Sequence, residues 1–152
     1  MPQFGRMSLE RLNTCDDRIH DIMLDVLFQL PWTDPVSGIT IHDISILCGH
    51  RSEEQQDIAY KRGTTQVQWP DSNHNALPSN AADVAPYHPD RPHIHWNNIT
   101  EMEVLSRLVL DCARKRNVGM RWGGDWDQDG VRVDRDPDER FLDGPHYELT
   151  DG

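Results

Sequence analysis

The chain predicts an α+β domain with a mostly antiparallel sheet and helices packed on one side, and three observations carry that expectation. Its 152 residues are the length of one ordinary domain, able to bury roughly two-thirds of its unfolded surface. Segments with apolar residues at helical spacing recur along it, and short β-branched or apolar runs lie between them. Their order is α-β-α-β-α-β-β, without internal repeat, low-complexity stretch or linker, so residues 1–152 are expected to form a single domain.

The first helix is expected from Asp16 to Leu30, with Ile19, Met23, Val26, Leu27 and Leu30 on one face, Asp16 as N-cap and Pro31 as its stop. A turn-rich connection follows to Gly38. Ile39–Leu47 alternates and is rich in β-branched residues, which predicts a buried strand. Ser52-Glu-Glu-Gln55 has the spacing of a capping box and opens a helix that ends at Gly63. Residues 64–81 are polar, with prolines and asparagines, and predict a long surface loop of the kind that often carries function. Ala82–Tyr87 is a short apolar strand and 88–98 a second loop. Thr100-Glu-Met-Glu103 reads as another capping box, opening a helix through Val104, Leu105, Leu108, Val109 and Cys112 to about Asn117, before the stop at Gly119. Met120–Trp122 and His146–Leu149 complete the strands.

Composition excludes several classes. A net charge of −11 and the lack of any basic stretch interleaved with aromatics argue against a nucleic-acid groove or attraction to anionic lipid. No apolar run is long enough to span a membrane, and the N-terminus lacks the apolar core of a signal peptide, so synthesis in the cytoplasm is expected. The three cysteines, Cys15, Cys48 and Cys112, are odd in number and form no CxxC, which reads as reduced structural thiols. Cys48-Gly-His50 could chelate zinc, but the strand is expected to bury that face.

The chemistry concentrates elsewhere. His74 and Asp83, on a loop and a strand, with the distant His146, can supply three ligands of an open zinc site, and Asp143 stands three residues before His146. Catalytic zinc needs such a set: three protein ligands, a fourth position for water, and a carboxylate to take the water's proton. An aspartate, with an ordinary pKa of about 3.9, is ionised at neutral pH and can accept it. Arg51 could stabilise the charge developing on a substrate carbonyl, where one donor is worth about 3–4 kcal/mol. Glu148, two residues beyond His146 on the same strand face, could orient a ligand or simply lie on the surface. Each residue alone also has a plain reading: His74 in a loop, His146 half-buried in a strand, Asp143 at a turn before Gly144, Arg51 bracing a helix. His93-Ile-His95 is a rival pair, since alternate strand positions can chelate; with His88 nearby in a proline-rich loop, it is expected to face solvent or the substrate rim. A second metal is suggested by Asp125-Trp-Asp127-Gln-Asp129-Gly130, which follows the calcium-loop pattern, with the Val131 carbonyl and Asp136 at its later positions. Its flanks are not those of an EF-hand, and an acidic turn is the alternative.

Taken together, Cys48-Gly-His-Arg51, Ser72-Asn-His74, Ala82-Asp83-Val-Ala-Pro86, Arg121-Trp-Gly-Gly-Asp125-Trp-Asp127 and Pro145-His146-Tyr-Glu148 resemble the zinc LD/DD-peptidases. That family includes D-alanyl-D-alanine carboxypeptidases and dipeptidases, and the resemblance is closest to bacteriophage endolysins that are L-alanyl-D-glutamate peptidases. It runs from about Phe4 to Leu149 and implies the hedgehog/DD-peptidase-like fold. It also implies zinc on His74, Asp83 and His146, Asp143 as catalytic carboxylate, Arg51 as catalytic arginine, Ser72 beside the ligands, and calcium on the acidic loop as in some relatives. Eight residues separate His74 from Asp83, more than the family's usual interval; the excess falls in the turn-forming Leu77-Pro-Ser-Asn80. The function implied is hydrolysis of the L-alanyl-D-glutamate bond of peptidoglycan stem peptides by a monomer that reaches the wall, during host lysis, after a holin opens the inner membrane. A D-alanyl-D-alanine carboxypeptidase or dipeptidase, and a non-catalytic metal-stabilised binding module, are the alternatives.

Overall fold

Four strands order as β3-β4-β6-β5 in one antiparallel sheet: β3 (Ile44–Cys48), β4 (Ala81–Pro86), β5 (Met120–Trp122) and β6 (His146–Leu149). This computed structural model describes residues 2–135 and 142–150. A separate two-stranded ribbon pairs β1 (Trp32–Thr33) with β2 (Thr40–Ile41). The helices are α1 (Arg6–Leu12), α2 (Asp17–Phe28), α3 (Glu53–Lys61) and α4 (Ile99–Lys115). No helix among the described residues is long and apolar enough to cross a membrane.

Strand alternation divides the sheet into two chemistries. Ile44, Ile46, Val84, Met120, Trp122, Tyr147 and Leu149 join one buried apolar cluster with Ile19, Met23 and Val26 of α2 and Leu105, Leu108 and Val109 of α4. The α4 helix packs on β4 and β5, and α2 packs on α4. The opposite face carries Cys48, Asp83 and His146 as register partners across three strands, and Arg121 beside Glu148 in the next row. One face is therefore core, and the other presents ligands and charges.

Most expected elements are present, and the departures have identifiable causes. Asp16 caps α2 by accepting from Arg18 N, and Ser52 and Gln55 form the reciprocal box that opens α3. The expected strand at 39–47 is two strands, because β2 pairs with β1 while β3 turns to β4, with Asp43 at the junction accepting from Tyr87 N and from Ile44 N. The α4 cap is Asn98, whose side chain accepts from Glu101 N; the Thr100 box does not form. Helix α1 was not expected. It lies along β3, the edge strand, where Ser8 Oγ accepts from Ile46 N at 3.0 Å and Arg11 Nη1 donates to Ile46 O at 3.0 Å. Those bonds satisfy an edge that would otherwise stay open. Just beyond, the β3–β4 register slips between Ile46 and Cys48. An extra residue in one strand reverses which face the next side chain occupies. Cys48 thus leaves the core face and borders the site, contrary to the expectation that its face would be buried.

Candidate metal centre and active site

His74 comes from a single 3-10 turn, Asn73–Asn75, inside the long loop after α3. Ser72 caps that turn, accepting from His74 N at 3.2 Å, while Asn75 reaches back to Ser72 N at 3.0 Å. Asn75 also donates to Arg51 O, and Arg51 N donates to His74 O at 2.7 Å. Ser79 N donates to Thr14 O, so the extra-long Leu77–Asn80 segment is tied down on the far side of His74. The longer interval before Asp83 therefore leaves His74 aimed at the sheet.

Three ligand-type atoms converge there. His74 Nε2, Asp83 Oδ1 and His146 Nδ1 lie 3.2 Å from one another along every edge. Bonds of 2.0–2.1 Å to a tetrahedral ion would separate ligand atoms by about 3.3 Å, so the triangle already has the dimensions of three zinc-type ligands. The far nitrogens of both rings are engaged. His74 Nδ1 is 2.7 Å from Gly49 O, and His146 Nε2 is 2.7 Å from Glu148 Oε1. Each acceptor takes the outer N–H, so that in the neutral ring the inner nitrogen's lone pair faces the centre. Glu148 is itself held by Arg121, through Nε at 3.0 Å and Nη2 at 2.8 Å, and by Asn73 Nδ2 at 2.9 Å. Trp126 lies over the Arg121 guanidinium and against the His146 ring.

Asp143 reaches the centre through a backbone latch. Its N–H donates to Gly123 O, Gly123 N–H donates to His146 O, and Val84 N–H donates to Pro145 O. A Cβ at Gly123 would collide with Asp143 O and press on His146 Cβ, so only glycine permits this approach. The Asp143 carboxylate then stands within 4.8 Å of the Asp83 and His146 ligand atoms. Cys48 flanks His74 and Asp83 at similar range. Its thiol donates to Gly49 O and receives Arg51 Nη2 at 3.8 Å, so the equilateral set remains His74, Asp83 and His146. Arg51 is braced by Gln56 at 3.0 Å and points Nη2 toward Asp83 Oδ2 at 3.6 Å. His50 turns away, its Nδ1 bonded to Ala76 O.

Electrostatics fit a cation site. Burial opposes a charged His74, but the Asp83 carboxylate outweighs it and lifts the imidazole pKa to about 10. His146 is likewise raised to about 9 against its burial, by hydrogen bonds to Asp83 and Glu148. Asp83, though buried, is held far below the ordinary carboxylate range by the two histidines. Burial and then the negative charge of Asp83 push Asp143 up to about 6, into the range of a useful proton acceptor near neutrality. The centre opens into a pocket of about 710 Å³ bordered by Thr64–Val67, Ser72, Trp96, Arg121 and Trp126.

The sequence matches the family described as phage L-alanyl-D-glutamate peptidase over residues 2–150. The chain belongs to this family. It is therefore a peptidase, and peptidoglycan is its substrate class. The crystal structure of the Serratia marcescens L-Ala D-Glu endopeptidase ChiX superposes with a TM-score of 0.67, covering 97% of this chain and 89% of that one at 22% identity. At that identity the likeness shows a common fold. No protein of curated function matches in sequence.

Among the residues singled out in the sequence, His74, Asp83, Asp143 and His146 converge, with Arg51, Ser72 and Glu148 at their margin. Cys48, weighed with His50 as a chelator and expected to be buried, borders the site without His50; the residues not foreseen are Gln56, Asn73, Arg121 and Trp126. Arg121 and Trp126 lay in the Arg121–Asp127 motif, where only the aspartates had been assigned. The acidic loop does gather Asp125, Asp127 and Asp129, but at the surface and satisfied by its own backbone: Gly130 N donates to Asp125, Asp129 N to Asp125 and Asp127, and Val131 N to Asp129. Asp136 falls outside the described residues. His93 and His95 do not pair with each other; His93 stacks on Tyr87, and His95 stacks on His88.

Proposed function

We propose that this protein is a zinc-dependent endolysin that hydrolyses the L-alanyl-D-glutamate bond of stem peptides, with His74, Asp83 and His146 as the metal ligands. The observation that carries the reading is the 3.2 Å triangle with both outer imidazole nitrogens already bonded. Two nitrogens and one carboxylate oxygen suit zinc better than a hard cation such as calcium. A divalent ion held there supplies Lewis acidity and lowers the pKa of coordinated water from 15.7 toward about 7.

The chain's own residues then divide the work. Asp143, buried beside the triangle, takes the proton of the attacking water and delivers it to the leaving amine. Arg51, fixed by Gln56, faces the pocket and donates to the oxygen on which charge develops. Ser72 keeps the His74 turn closed, and Glu148, clamped by Arg121, holds the His146 ring in its ligating tautomer. Calcium on Asp125, Asp127 and Asp129 would act on the segment leading to Asp143. Access to the wall after holin-type release, and action as a monomer, complete the proposal.

Mass spectrometry of purified muropeptides, digested with and without chelator, tests it. New N-terminal D-glutamate, lost on chelation and restored by zinc, is expected. Release of free D-alanine instead would move the assignment to a carboxypeptidase, and full activity in protein shown to be metal-free would remove zinc from the mechanism.

A further inference from the structure

The loop between β4 and α4 is closed on itself and presents an exposed tryptophan. The chain leaves β4 at Pro86 and reaches Asn98, the cap of α4. Between them His88 N donates to His93 O at 2.7 Å, His93 Nδ1 donates to His88 O at 2.8 Å, and Asn98 N donates to His95 O at 3.0 Å. Side chains brace the same closure. His93 stacks on Tyr87, and His95 stacks on His88 with ring centroids 3.8 Å apart and planes 7° from coplanar. Parallel rings send their nitrogen lone pairs out side by side, so this pair does not converge on an ion. His88 Nε2 instead meets Glu101 Oε1 of α4 at 2.6 Å. Trp96 stands next to this brace and is 59% exposed.

Trp96 lines the active-site pocket of about 710 Å³ and also a neighbouring groove of about 580 Å³, whose other lining residues are Pro92, Ile94, His95, Asn97 and Asn98. The groove is therefore continuous with the metal centre at the indole. An indole fixed on a closed loop keeps its apolar face in water, where a ligand gains by covering it. Trp126, the other tryptophan of the pocket, is already laid over Arg121 and against His146. The two compartments also differ in charge. The pocket holds Arg51 and Arg121, cations for the carboxylates of a stem peptide. The groove offers an aromatic face, aliphatic surface and the amides of Asn97 and Asn98, with no carboxylate, lysine or arginine in its lining. A neutral ring with apolar C–H faces and hydrogen-bonding edges fits that chemistry, and an anionic peptide finds no partner there.

We propose that Trp96 and the 92–98 groove form a saccharide subsite, which receives the N-acetylmuramoyl ring of peptidoglycan against the indole face and hydrogen-bonds its edge through Asn97. The inference rests on cleavage of the L-alanyl-D-glutamate bond. In peptidoglycan the L-alanine amine is acylated by the lactyl group of muramic acid, so one residue and one short acyl group separate the scissile carbonyl from a sugar. An extended residue spans at most about 3.6 Å, which starts that ring about two residue lengths, roughly 7 Å, from the reacting bond. The lactyl carboxyl is consumed in the amide, so this end of the substrate is neutral, as the groove is. A peptidase cutting there has to seat a sugar at the rim of its pocket, and Trp96 is the exposed aromatic on that rim.

Two defined substrates and one binding probe decide it, all with zinc-loaded protein. N-acetylglucosaminyl-N-acetylmuramoyl tripeptide and the same tripeptide carrying only an N-acetyl group are compared by kcat/KM. Wild type is expected to favour the saccharide substrate by about tenfold, mainly through KM. Trp96→Ala should bring that ratio close to unity without altering zinc content, and Trp96→Phe should restore most of it. In a calorimetric titration, the disaccharide-L-alanine product should bind Trp96→Ala about tenfold more weakly than wild type or Trp96→Phe. A ratio near unity in wild type would overturn the subsite. So would a ratio unchanged by Trp96→Ala; with both substrates equally impaired, the side chain would belong to the peptide cleft. Saccharide binding that depends on Trp96, in an enzyme that exposes no N-terminal D-glutamate, would uphold the subsite and overturn the bond assignment instead.

Discussion

The two histidine–histidine–carboxylate clusters share a donor set and differ in what stands behind it. At the active centre both outer ring nitrogens end on an acceptor, and one acceptor, Glu148, is clamped by Arg121 and Asn73. At His88, His95 and Glu101 the order comes from loop backbone bonds and ring stacking. The first cluster is built across the register of two strands, β4 and β6, with one loop residue added, the second on a loop and a helix turn. Ligand-type residues alone therefore do not make a metal centre; rings inclined so that their nitrogens converge, the outer support and a carboxylate beside them do. Asp143 has no counterpart near His88 among the described residues.

The largest effect should come from removing that counterpart-less group. Asp143→Asn keeps the shape of the latch to Gly123 and removes the proton acceptor, so kcat is expected to fall by about 10²–10⁴-fold while zinc content holds. Stopped hydrolysis with an unchanged metal count would assign the proton transfer to Asp143. Activity within tenfold of wild type would show that another group takes the proton.

Next in size is the outer support. Glu148→Gln retains the size of the side chain but weakens the charged contacts to His146 and Arg121. Replacing such a partner typically costs 10–100-fold in metal affinity or activity. A zinc titration of this variant should show weakened binding at the active centre. Equal affinities at the active centre in variant and wild type would mean that the contact from Glu148 is ornamental.

Proton linkage distinguishes the active centre further. His74 and His146, raised to about 10 and 9 from 6.5, gain protons on folding when no metal is present. Their contribution to stability is complete below about pH 6.5 and disappears as pH rises through 9 and 10. Asp143, raised from 3.8 to about 6, favours its neutral form, so its contribution is lost between those values as pH rises. Glu148, lowered to about 2 from 4.5 by His146 and Arg121 despite burial, contributes above 4.5 and loses that contribution as pH falls toward 2. Chelated protein should thus melt highest between about pH 4.5 and 6.5 and lose stability toward pH 10. Metal binding must expel the imidazole protons, so the stabilisation due to zinc should grow with pH over the neutral range. Parallel melting curves for loaded and chelated protein from pH 6 to 9 would contradict the assigned ligands.

How much of this was readable before folding follows the range of the interactions. Helices α2 and α3 and strands β4, β5 and β6 announce themselves through periodicity, caps and stops, which are local. Helix α1 did not, because RMSLERL buries only Ser8 and Leu12 and owes its place to the β3 edge. The start of α4 was misplaced for a similar reason: Glu101 is turned to His88 and Asn98 takes the cap. The motif residues gave the triangle, but not Cys48, which a register slip brings to the site face, nor Arg121, whose role exists only once β5 lies beside β6. The pairing of His88 with His95, in place of His93 with His95, depends on a loop closure that no spacing rule encodes.

The smallest expected effect belongs to the acidic loop, the third place where ligand-type atoms gather. Its carboxylates are largely exposed and already accept backbone N–H groups of their own turn, so little free energy waits on an ion. Desolvation and neighbouring carboxylates nonetheless raise the Asp127 pKa, a sign of repulsion that a hard cation would relieve. With zinc loaded and held constant, millimolar calcium is expected to raise the melting temperature by only a few degrees, and Asp127→Asn should remove that increment. Calcium-dependent hydrolysis would have to act through residues 130–142, the stretch joining the loop to Asp143, and would appear in kcat without altering zinc content. A melting temperature and kcat indifferent to calcium would reduce the loop to a solvated turn, leaving His74, Asp83 and His146 as the proposed metal site.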